Sequence, residues 1–436
     1  MRRWTRIAFV AAVVSAFLPW TAAPSFAVTF TVNDTGDAGD GSPEGTCDSD
    51  PGAGVVCTLR EAIQESNDSS AVDDVINFSI TGAGPHVITP ATDLPFITDT
   101  VTINGYSEPD SAPNASDTIW SGTISVVLDG AGGAFSGLDI GTDSGTVIRG
   151  LNIRNFDGIG VHVEADGTII AGNLIGTNAA GTAAGPGNTA DGVALHPGVD
   201  MTRIGGTVPA DRNIISSNSG SGVNLFSTGT GNLVQGNLIG TDALGTGDLG
   251  NGADGVIINS GTTSNTIGPG NVISGNGSDG VEIQGNTSDS NTVRGNLIGT
   301  NAAGTGAIPN SGNGIEIVDG DSNTIGGSTA TDRNVISGNG LDGIRIHVGG
   351  MSNVVLGNYI GTNAAGNGAV ANGSHGVELR NLAATGNTIG GAAAGAGNLI
   401  SANGFDGVKI SDAPGNFVRG NSIGTNAAGT GALGNG

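Results

Sequence analysis

Residues 271–295 read NVISGNGSDGVEIQGNTSDSNTVRG. This stretch contains three short β-prone runs, at 271–274, 280–283 and 291–294, and residues such as Gly, Asn and Asp separate them. Glycine and asparagine readily adopt the positive φ angles that tight turns require. Three short strands joined by such turns, with no helical period, predict one rung of a parallel β-helix.

The same pattern returns along most of the chain. From residue 151, short units of 22 to 25 residues alternate with long units of 34 to 40 residues. The phrase Gly-Asn-x-Ile-Gly-Thr-(Asn/Asp)-Ala begins at Gly172, Gly236, Gly295, Gly357 and Gly420. A fixed period of this kind indicates a repeat architecture, a solenoid with three short strands per rung.

Side-chain alternation predicts the core of the solenoid. In the central strand of a unit Val281 and Ile283 point inward and Glu282 points outward, because successive side chains of a strand face opposite sides. The same inward pairs are Val256/Ile258, Ile315/Ile317, Ile344/Ile346, Val377/Leu379 and Val408/Ile410. Upstream, weaker rungs are expected at 75–80, 101–104, 124–128 and 138–140.

Two columns of asparagine recur at the turns, where stacked amides can hydrogen-bond from rung to rung. The first column is Asn173, Asn213, Asn237, Asn271, Asn296, Asn334, Asn358, Asn398 and Asn421. The second is Asn232, Asn265, Asn291, Asn323, Asn353, Asn387 and Asn416. We interpret both columns as structural.

The amino terminus has the pattern of a secretory signal peptide. Three arginines within the first six residues precede an apolar run over 7–18, and a small-x-small cleavage site ends at Ala27. The run is shorter than the ~20 apolar residues that a membrane span needs. We therefore expect a mature chain that is secreted or at the cell surface and is not inserted into a membrane.

The charge balance is strongly acidic. The chain carries 39 acidic and 14 basic residues, a net charge of −25, and loss of the three leading arginines makes it −28. Nucleic-acid partners need a basic surface, so we exclude them. The nonapeptide calcium repeat is missing from the sequence, and a cysteine pair without a nearby histidine cannot complete a zinc site. We expect no metal and no cofactor, and the oligomeric state is left open.

A short cap is expected before the rungs. Cys47 and Cys57 favour a disulfide in an exported chain. Thr58 and Glu61 form a capping box at the start of an amphipathic helix over 58–67. Its apolar face consists of Leu59, Ala62 and Ile63. This face is predicted to cover the open end of the first rung, which otherwise exposes strand edges and core.

Two resemblances agree with these patterns. The segment CTLREAI at 57–63 resembles the CSLREA motif of secreted bacterial proteins with β-helix repeats, with Thr58 in place of the usual serine. This implies secretion and a following repeat array. The repeats, nearly 300 residues, resemble the right-handed parallel β-helix class shared with pectate lyases and polygalacturonases. The expected fold class is therefore all-β, a right-handed parallel β-helix with a small N-terminal helical cap.

Four segments follow from these patterns. They are a signal peptide at 1–27, a CSLREA-type cap with a disulfide at 28–74, first irregular rungs at 75–150, and regular repeats at 151–436. Because the chain stops inside a unit with no capping segment, we expect the last segment to be truncated at its carboxyl end.

The outward face of the central strands is the candidate ligand-binding face. Its first column is assigned as Gly160, Ala194, Asn224, Ile257, Glu282, Glu316, Arg345, Glu378 and Lys409, and its second as His162, His196, Phe226, Asn259, Gln284, Val318, His347, Arg380 and Ser411. The candidate site residues are Glu282, Glu316, Arg345, His347, Glu378, Arg380 and Lys409. Loops in the long units, such as 301–313 and 363–374, are expected to stack as a ridge beside this face.

A structural interpretation of the same face is stronger. The last four charged residues of the first column alternate in sign, and cross-strand pairs of opposite charge stabilise a sheet by roughly 0.2–1 kcal/mol each. We therefore expect the substitution Glu378→Gln to cost little.

Enzyme signatures are matched poorly. Segments 374–376 and 345–347 approximate two polygalacturonase motifs, Gly-His-Gly and Arg-Ile-Lys, in reversed order. Glycoside hydrolysis needs paired carboxylates, and the aspartates before glycine, such as Asp279 and Asp342, fit a turn role. No residue is assigned a catalytic role on this basis.

The sequence favours an exported, non-catalytic β-helix that acts as a surface or extracellular-matrix binding module. A polysaccharide or cell-surface glycan is the expected partner. The alternative is a polysaccharide lyase or glycoside hydrolase of the pectate-lyase-like class. Clustered acids beside Arg or Lys on one rung distinguish the enzyme from the scaffold.

Overall fold

Three parallel sheets coil around one apolar core in the computed structural model, which describes residues 27–41, 45–49, 55–69, 73–131, 133–141 and 144–436. Each regular rung contributes one strand to each sheet. Every named strand pairs in parallel with the strand one rung away, as Val281 does with Ile315. This arrangement confirms the predicted parallel β-helix. The predicted signal peptide lies outside the described residues except for Ala27.

The first sheet has thirteen strands and therefore sets the length of the rod. At ~4.8 Å per rung the rod is about 60 Å long. The strands are Thr29–Val32, Asp74–Phe78, Val101–Asn104, Val147–Arg149, Ile169–Ala171, Arg203–Gly205, Leu233–Gln235, Thr266–Ile267, Thr292–Val293, Thr324–Gly326, Val354–Leu356, Thr388–Ile389 and Phe417–Val418.

The second sheet has twelve strands and the third has ten. The second consists of His86–Ile88, Val126–Asp129, Leu151–Arg154, Leu174–Ile175, Ile214–Ile215, Leu238–Ile239, Val272–Ile273, Leu297–Ile298, Val335–Ile336, Tyr359–Ile360, Leu399–Ile400 and Ser422–Ile423. The third consists of Leu138–Ile140, Val161–Val163, Val193–Leu195, Val223–Phe226, Val256–Asn259, Val281–Gln284, Ile315–Val318, Ile344–His347, Val377–Arg380 and Val408–Ser411. It corresponds to the central strand of each predicted unit.

The core is built from stacked aliphatic side chains. Val281 and Ile283 are fully buried, as predicted, and so are their counterparts up to Val377 and Leu379. On the last rung Ile410 is 45% exposed, because no further rung stacks on that strand among the described residues. This core extends from the cap along the rungs as far as Ile400 and Ala413, and a smaller apolar cluster lies around Trp120 and Leu238.

Asparagine ladders line the turns. Both predicted columns are buried except for their last members, Asn421 and Asn416, which are half-buried. In the first column Asn237 donates from its backbone N–H and its side-chain amide to Oδ1 of Asn271. A third ladder, which the sequence analysis missed, precedes the third sheet. It consists of Asn188, Asn218, Asn251, Asn276, Asn310, Asn339, Asn372, Asn403 and Asn435. Buried donors and acceptors are thereby satisfied between rungs.

The cap closes the amino-terminal end. The helix runs over Leu59–Asp68, one residue later than predicted, and the Thr58 side chain accepts from the Glu61 N–H as its N-cap. The apolar face of the helix joins the core. Cys47 and Cys57 form the predicted disulfide, with their Cα atoms 5.0 Å apart. Two short 3-10 helices, Gly105–Ser107 and Pro209–Asp211, complete the helical content of the described residues.

The long units form the expected ridge between the second and third sheets. Each loop closes with an antiparallel bridge, such as that between Thr300 and Ala307. Successive loops then stack, since the N–H of Ala302 donates to the carbonyl of Gly245 and the N–H of Ala364 to that of Gly304. The ridge therefore borders the outer face of the third sheet.

Candidate functional site on the outer face of the third sheet

The register of the third sheet brings the candidate residues into one continuous column. Glu282 pairs with Glu316, Glu316 with Arg345, Arg345 with Glu378, and Glu378 with Lys409. His347 and Arg380 stand two residues further along two of these strands. The predicted face is thus present, and its ligand remains a prediction.

The register of the strand Val161–Val163 corrects one assignment in the first column of the candidate face. His162 pairs with Ala194 and belongs to the first column, where the sequence analysis placed Gly160. The segment 157–161, DGIGV, carries two more residues before its strand than the later Asp-Gly-Val units, and this caused the misalignment. A shift of two residues preserves the side-chain alternation, so the face itself was assigned correctly.

Arg345 is enclosed by three carboxylates. Its guanidinium lies 2.8 Å from Asp342, 3.2 Å from Glu378 and 3.6 Å from Glu316. Although burial acts to lower the Arg345 pKa, these charges outweigh it and raise the pKa. The arginine is therefore a fixed cation that holds two neighbouring rungs together.

Lys409 and Arg380 extend this charge network. The Lys409 ammonium lies 3.2 Å from Glu378 and 3.2 Å from His375 Nε2, and Arg380 lies 4.0 Å from Glu378. Glu378 itself is only 5% exposed. The expectation that Glu378→Gln costs little assumed an exposed pair, and the burial of Glu378 contradicts that assumption.

Glu316 lies at the boundary between cations and acids. The His347 imidazole is 3.1 Å from its carboxylate. Burial acts to raise the Glu316 pKa, but contacts with His347, Asp279 and Arg345 outweigh it and lower the pKa. Glu316 consequently stays ionised near neutral pH.

The opposite side of Glu316 carries three more carboxyl groups. Ligand atoms of Asp254, Asp279 and Glu282 lie within 4.8 Å of one another. Burial raises the pKa of Asp279 to about 8, reinforced by the charge of Glu316, and burial with the charge of Asp254 raises the pKa of Glu282 to about 7. Burial also raises the pKa of Asp254. Two hydrogen-bonded carboxyl pairs result, Asp254 with Glu282 and Asp279 with Glu316.

This cluster was missed by the sequence analysis, which interpreted the aspartates before glycine as turn residues. They do serve the backbone, since Oδ1 of Asp254 accepts the Asp279 N–H and Oδ1 of Asp342 accepts the His375 N–H. Their second oxygens, however, face the outward glutamates or Arg345, as Asp342 shows. The signal was available: two successive units place Asp two residues before the strand, and Glu282 and Glu316 follow in successive strands.

Two groups of residues on this sheet have donor sets that suit a cation. One is Asp254, Asp279 and Glu282, and the other is His162, Glu164 and His196. In the first group the raised pKa values of Asp279, about 8, and Glu282, about 7, favour bound protons near neutral pH, which disfavours the group as a cation site. The second lies two to four rungs away, towards the amino-terminal end of the sheet, and is considered separately.

The fold defines the structural class, a right-handed parallel β-helix. The A-module of mannuronan C-5 epimerase AlgE6 from Azotobacter vinelandii is similar at 15% identity and a TM-score of 0.53, covering 83% of this chain and 93% of that chain. The AlgE4 A-module from the same organism is 15% identical with a TM-score of 0.48, and the match covers 80% of this chain and 85% of that chain. Pectate lyase Pel9A is 14% identical with a TM-score of 0.33, and the match covers 94% of this chain and 82% of that chain.

No protein-family model and no curated protein sequence matches the chain. Within the described part of the chain, none of the helices has the length and apolar character needed to cross a membrane.

Proposed function

We propose that this chain binds a polysaccharide along the outer face of the third sheet and hydrolyses its glycosidic bonds. Glu282 is the general acid and Glu316 the ionised carboxylate. The observation that carries the proposal is that these two directly paired glutamates have pKa values displaced in opposite directions. Carboxyl pairs with separated pKa values are the usual acid and base arrangement of glycosidases.

The chemistry follows from the two protonation states. Glu282 donates its proton to the glycosidic oxygen while the Glu316 carboxylate attacks the anomeric carbon. Water then displaces Glu316 and gives its proton back to Glu282. Because displacement occurs twice at the anomeric carbon, first by Glu316 and then by water, we expect retention of the anomeric configuration.

The surrounding residues support these roles without touching the substrate. Asp254 raises the pKa of Glu282 by its charge, and Asp279 donates a hydrogen bond that keeps Glu316 ionised. The loop ridge beside the sheet can align a linear polymer along the rungs. Epimerases and a lyase of similar fold act, by their names, on polysaccharides, and export of this chain fits such a substrate and the Cys47–Cys57 disulfide.

The test is release of reducing ends from a panel of neutral and acidic polysaccharides. The wild-type chain should release them, and Glu282→Gln and Glu316→Gln should each reduce the rate at least about 100-fold, as expected for loss of an acid or a nucleophile. Asn286→Ala, at an exposed residue of the turn that follows the Glu282 strand, is the control and should stay active. Full activity of either glutamine variant would exclude the proposed roles.

A second candidate is a binding module without catalysis. It is favoured by the ion pairs that already occupy Arg345 and Glu378 and by the backbone bonds of the aspartates. In that case the chain should be retained by a polysaccharide matrix and release no reducing ends, and Glu282→Gln should leave binding unchanged.

A further inference from the structure

A second group of titratable side chains lies at the amino-terminal end of the third sheet. His162 and Glu164 are two residues apart and therefore share the outward side of one rung. His196 stands beside Glu164 on the next rung, because His162 pairs with Ala194. One ligand atom from each of the three side chains lies within 4.8 Å of the others.

We propose that His162, Glu164 and His196 bind a divalent transition-metal ion, with Zn²⁺ as the expected occupant. Two imidazoles and one carboxylate are donors that zinc accepts at about 2.0–2.2 Å. Imidazole favours first-row transition metals over the hard ions Mg²⁺ and Ca²⁺, which prefer oxygen. Three protein ligands leave the fourth tetrahedral position for water or another ligand from solvent.

A carboxylate that contacts one of the histidines, but is not itself one of the three ligands, supports this assignment. Asp139 pairs with His162 across the preceding rungs, and its Oδ1 lies 3.1 Å from His162 Nδ1. The carboxylate fixes the ring so that Nε2 faces Glu164, at 3.9 Å. A metal-binding histidine usually donates its other ring nitrogen to a carboxylate in this way.

The side chains have room to close around an ion. Tetrahedral zinc ligands stand roughly 3.3–3.5 Å apart, so the three donors must approach by about 1 Å. His196 is exposed and Glu164 is 31% exposed, so both can rotate about χ angles. The two imidazole rings are already 5.3 Å apart, and the small Ala194 stands opposite His162.

The proposal is independent of the hydrolase mechanism. The site lies three to four rungs from Glu282 along the same face, or about 14–19 Å at ~4.8 Å per rung. Sequence analysis led us to expect no metal because it considered only cysteine motifs and calcium repeats. His162 and His196 lie on neighbouring rungs, and the number of residues per rung varies along the chain. Only the register of the strands therefore shows that the two histidines are close together.

The experiment is Zn²⁺ titration of tag-free protein by calorimetry at about pH 7.5, where unperturbed imidazoles are neutral. We expect one Zn²⁺ per chain with low-micromolar or tighter affinity. His196→Ala and Glu164→Gln should each weaken binding at least about tenfold, and the positioning residue Asp139→Asn about 10–100-fold. His375→Ala, a histidine at the far end of the same sheet, should bind like wild type.

Folding of each variant is checked by circular dichroism, and His196 is exposed, so its substitution should leave the fold intact. Visible absorption of the Co²⁺ form should show tetrahedral coordination in the wild type and lose it in His196→Ala. No binding by the wild-type chain, or unchanged affinity of folded His196→Ala, would overturn the proposal.

Discussion

Glu282 lies directly opposite Glu316 on the neighbouring strand, and the pKa values of these two like-charged residues are shifted in opposite directions. The asymmetry arises from their other neighbours, since Glu316 contacts His347 and Arg345 whereas Glu282 faces Asp254. Like charges directly opposite each other destabilise a sheet. Their retention in an otherwise regular repeat marks this rung pair as a functional candidate.

Stability should depend on pH through the acid cluster. The folded-state pKa values of Asp279, about 8, and Glu282, about 7, lie above the ordinary carboxyl range near 4. Between these limits the folded state binds more protons than the unfolded state, so these groups favour folding at low pH and lose that contribution as pH rises. The free energy of unfolding of Asp279→Asn, relative to that of the wild type, should therefore increase by on the order of 2 kcal/mol as the pH rises from about 5 to about 9.

The measurement is the thermal midpoint of both chains across this pH range. Asparagine can still accept the backbone N–H at this position, as Asn313 does from Asp342 in the same column. A constant difference between the two midpoints at all pH values would contradict the raised pKa of Asp279.

The substitution Glu378→Gln should destabilise the chain by about 1–3 kcal/mol. It weakens the contacts to Arg345 and Lys409 on both neighbouring strands and leaves the mostly buried guanidinium of Arg345 less compensated. Asp332→Asn is the matched control, because its pair with Arg294 is more exposed and should cost at most about 1 kcal/mol. Equal shifts of the two denaturation midpoints would show that burial does not distinguish the pairs.

The third asparagine ladder should be a strong determinant of stability. Asn276→Ala removes the acceptor for two buried donors of Asn251 and should cost about 2–3 kcal/mol. Asn286→Ala on the exposed turn of the same unit should cost almost nothing. Chemical denaturation of both variants compares the two positions, and similar midpoints would argue against a structural role for the ladder.

The disulfide should stabilise the cap. Cys57→Ser should lower the melting temperature, with a loss of roughly 2–3 kcal/mol for a loop of this length. The double variant with Cys47→Ser should be no less stable than the single one, because the bond is already lost. Two reactive thiols in the natively exported protein would refute the pairing.

Much of the fold could be predicted from short-range patterns. Alternation at Val281, Glu282 and Ile283 identified the inward and outward sides, since neighbouring side chains of a strand must face opposite ways. The capping box at Thr58 located the helix within one residue. The two recognised asparagine columns followed from glycine and asparagine at recurring turns.

The features that the sequence did not reveal share one cause: their residues lie far apart along the chain and meet only in the folded structure. The third ladder was overlooked at Asn310 because it sits in loops of unequal length, and His162 was placed two residues out of register for the same reason. Asp254 and Asp279 looked like isolated turn residues because 25 residues separate them.

The sequence by itself determined the strand period, the polarity of each face and the repeat of the rungs, because these depend on residues a few positions apart. Only the tertiary structure decided which outward residues touch. Stacking places outward residues of the third sheet that are 23 to 34 positions apart within one strand spacing, so the loop lengths set the register. Burial there raises the pKa of Glu282, whereas contacts with His347, Asp279 and Arg345 outweigh burial and lower the pKa of Glu316, and no local pattern contains this difference.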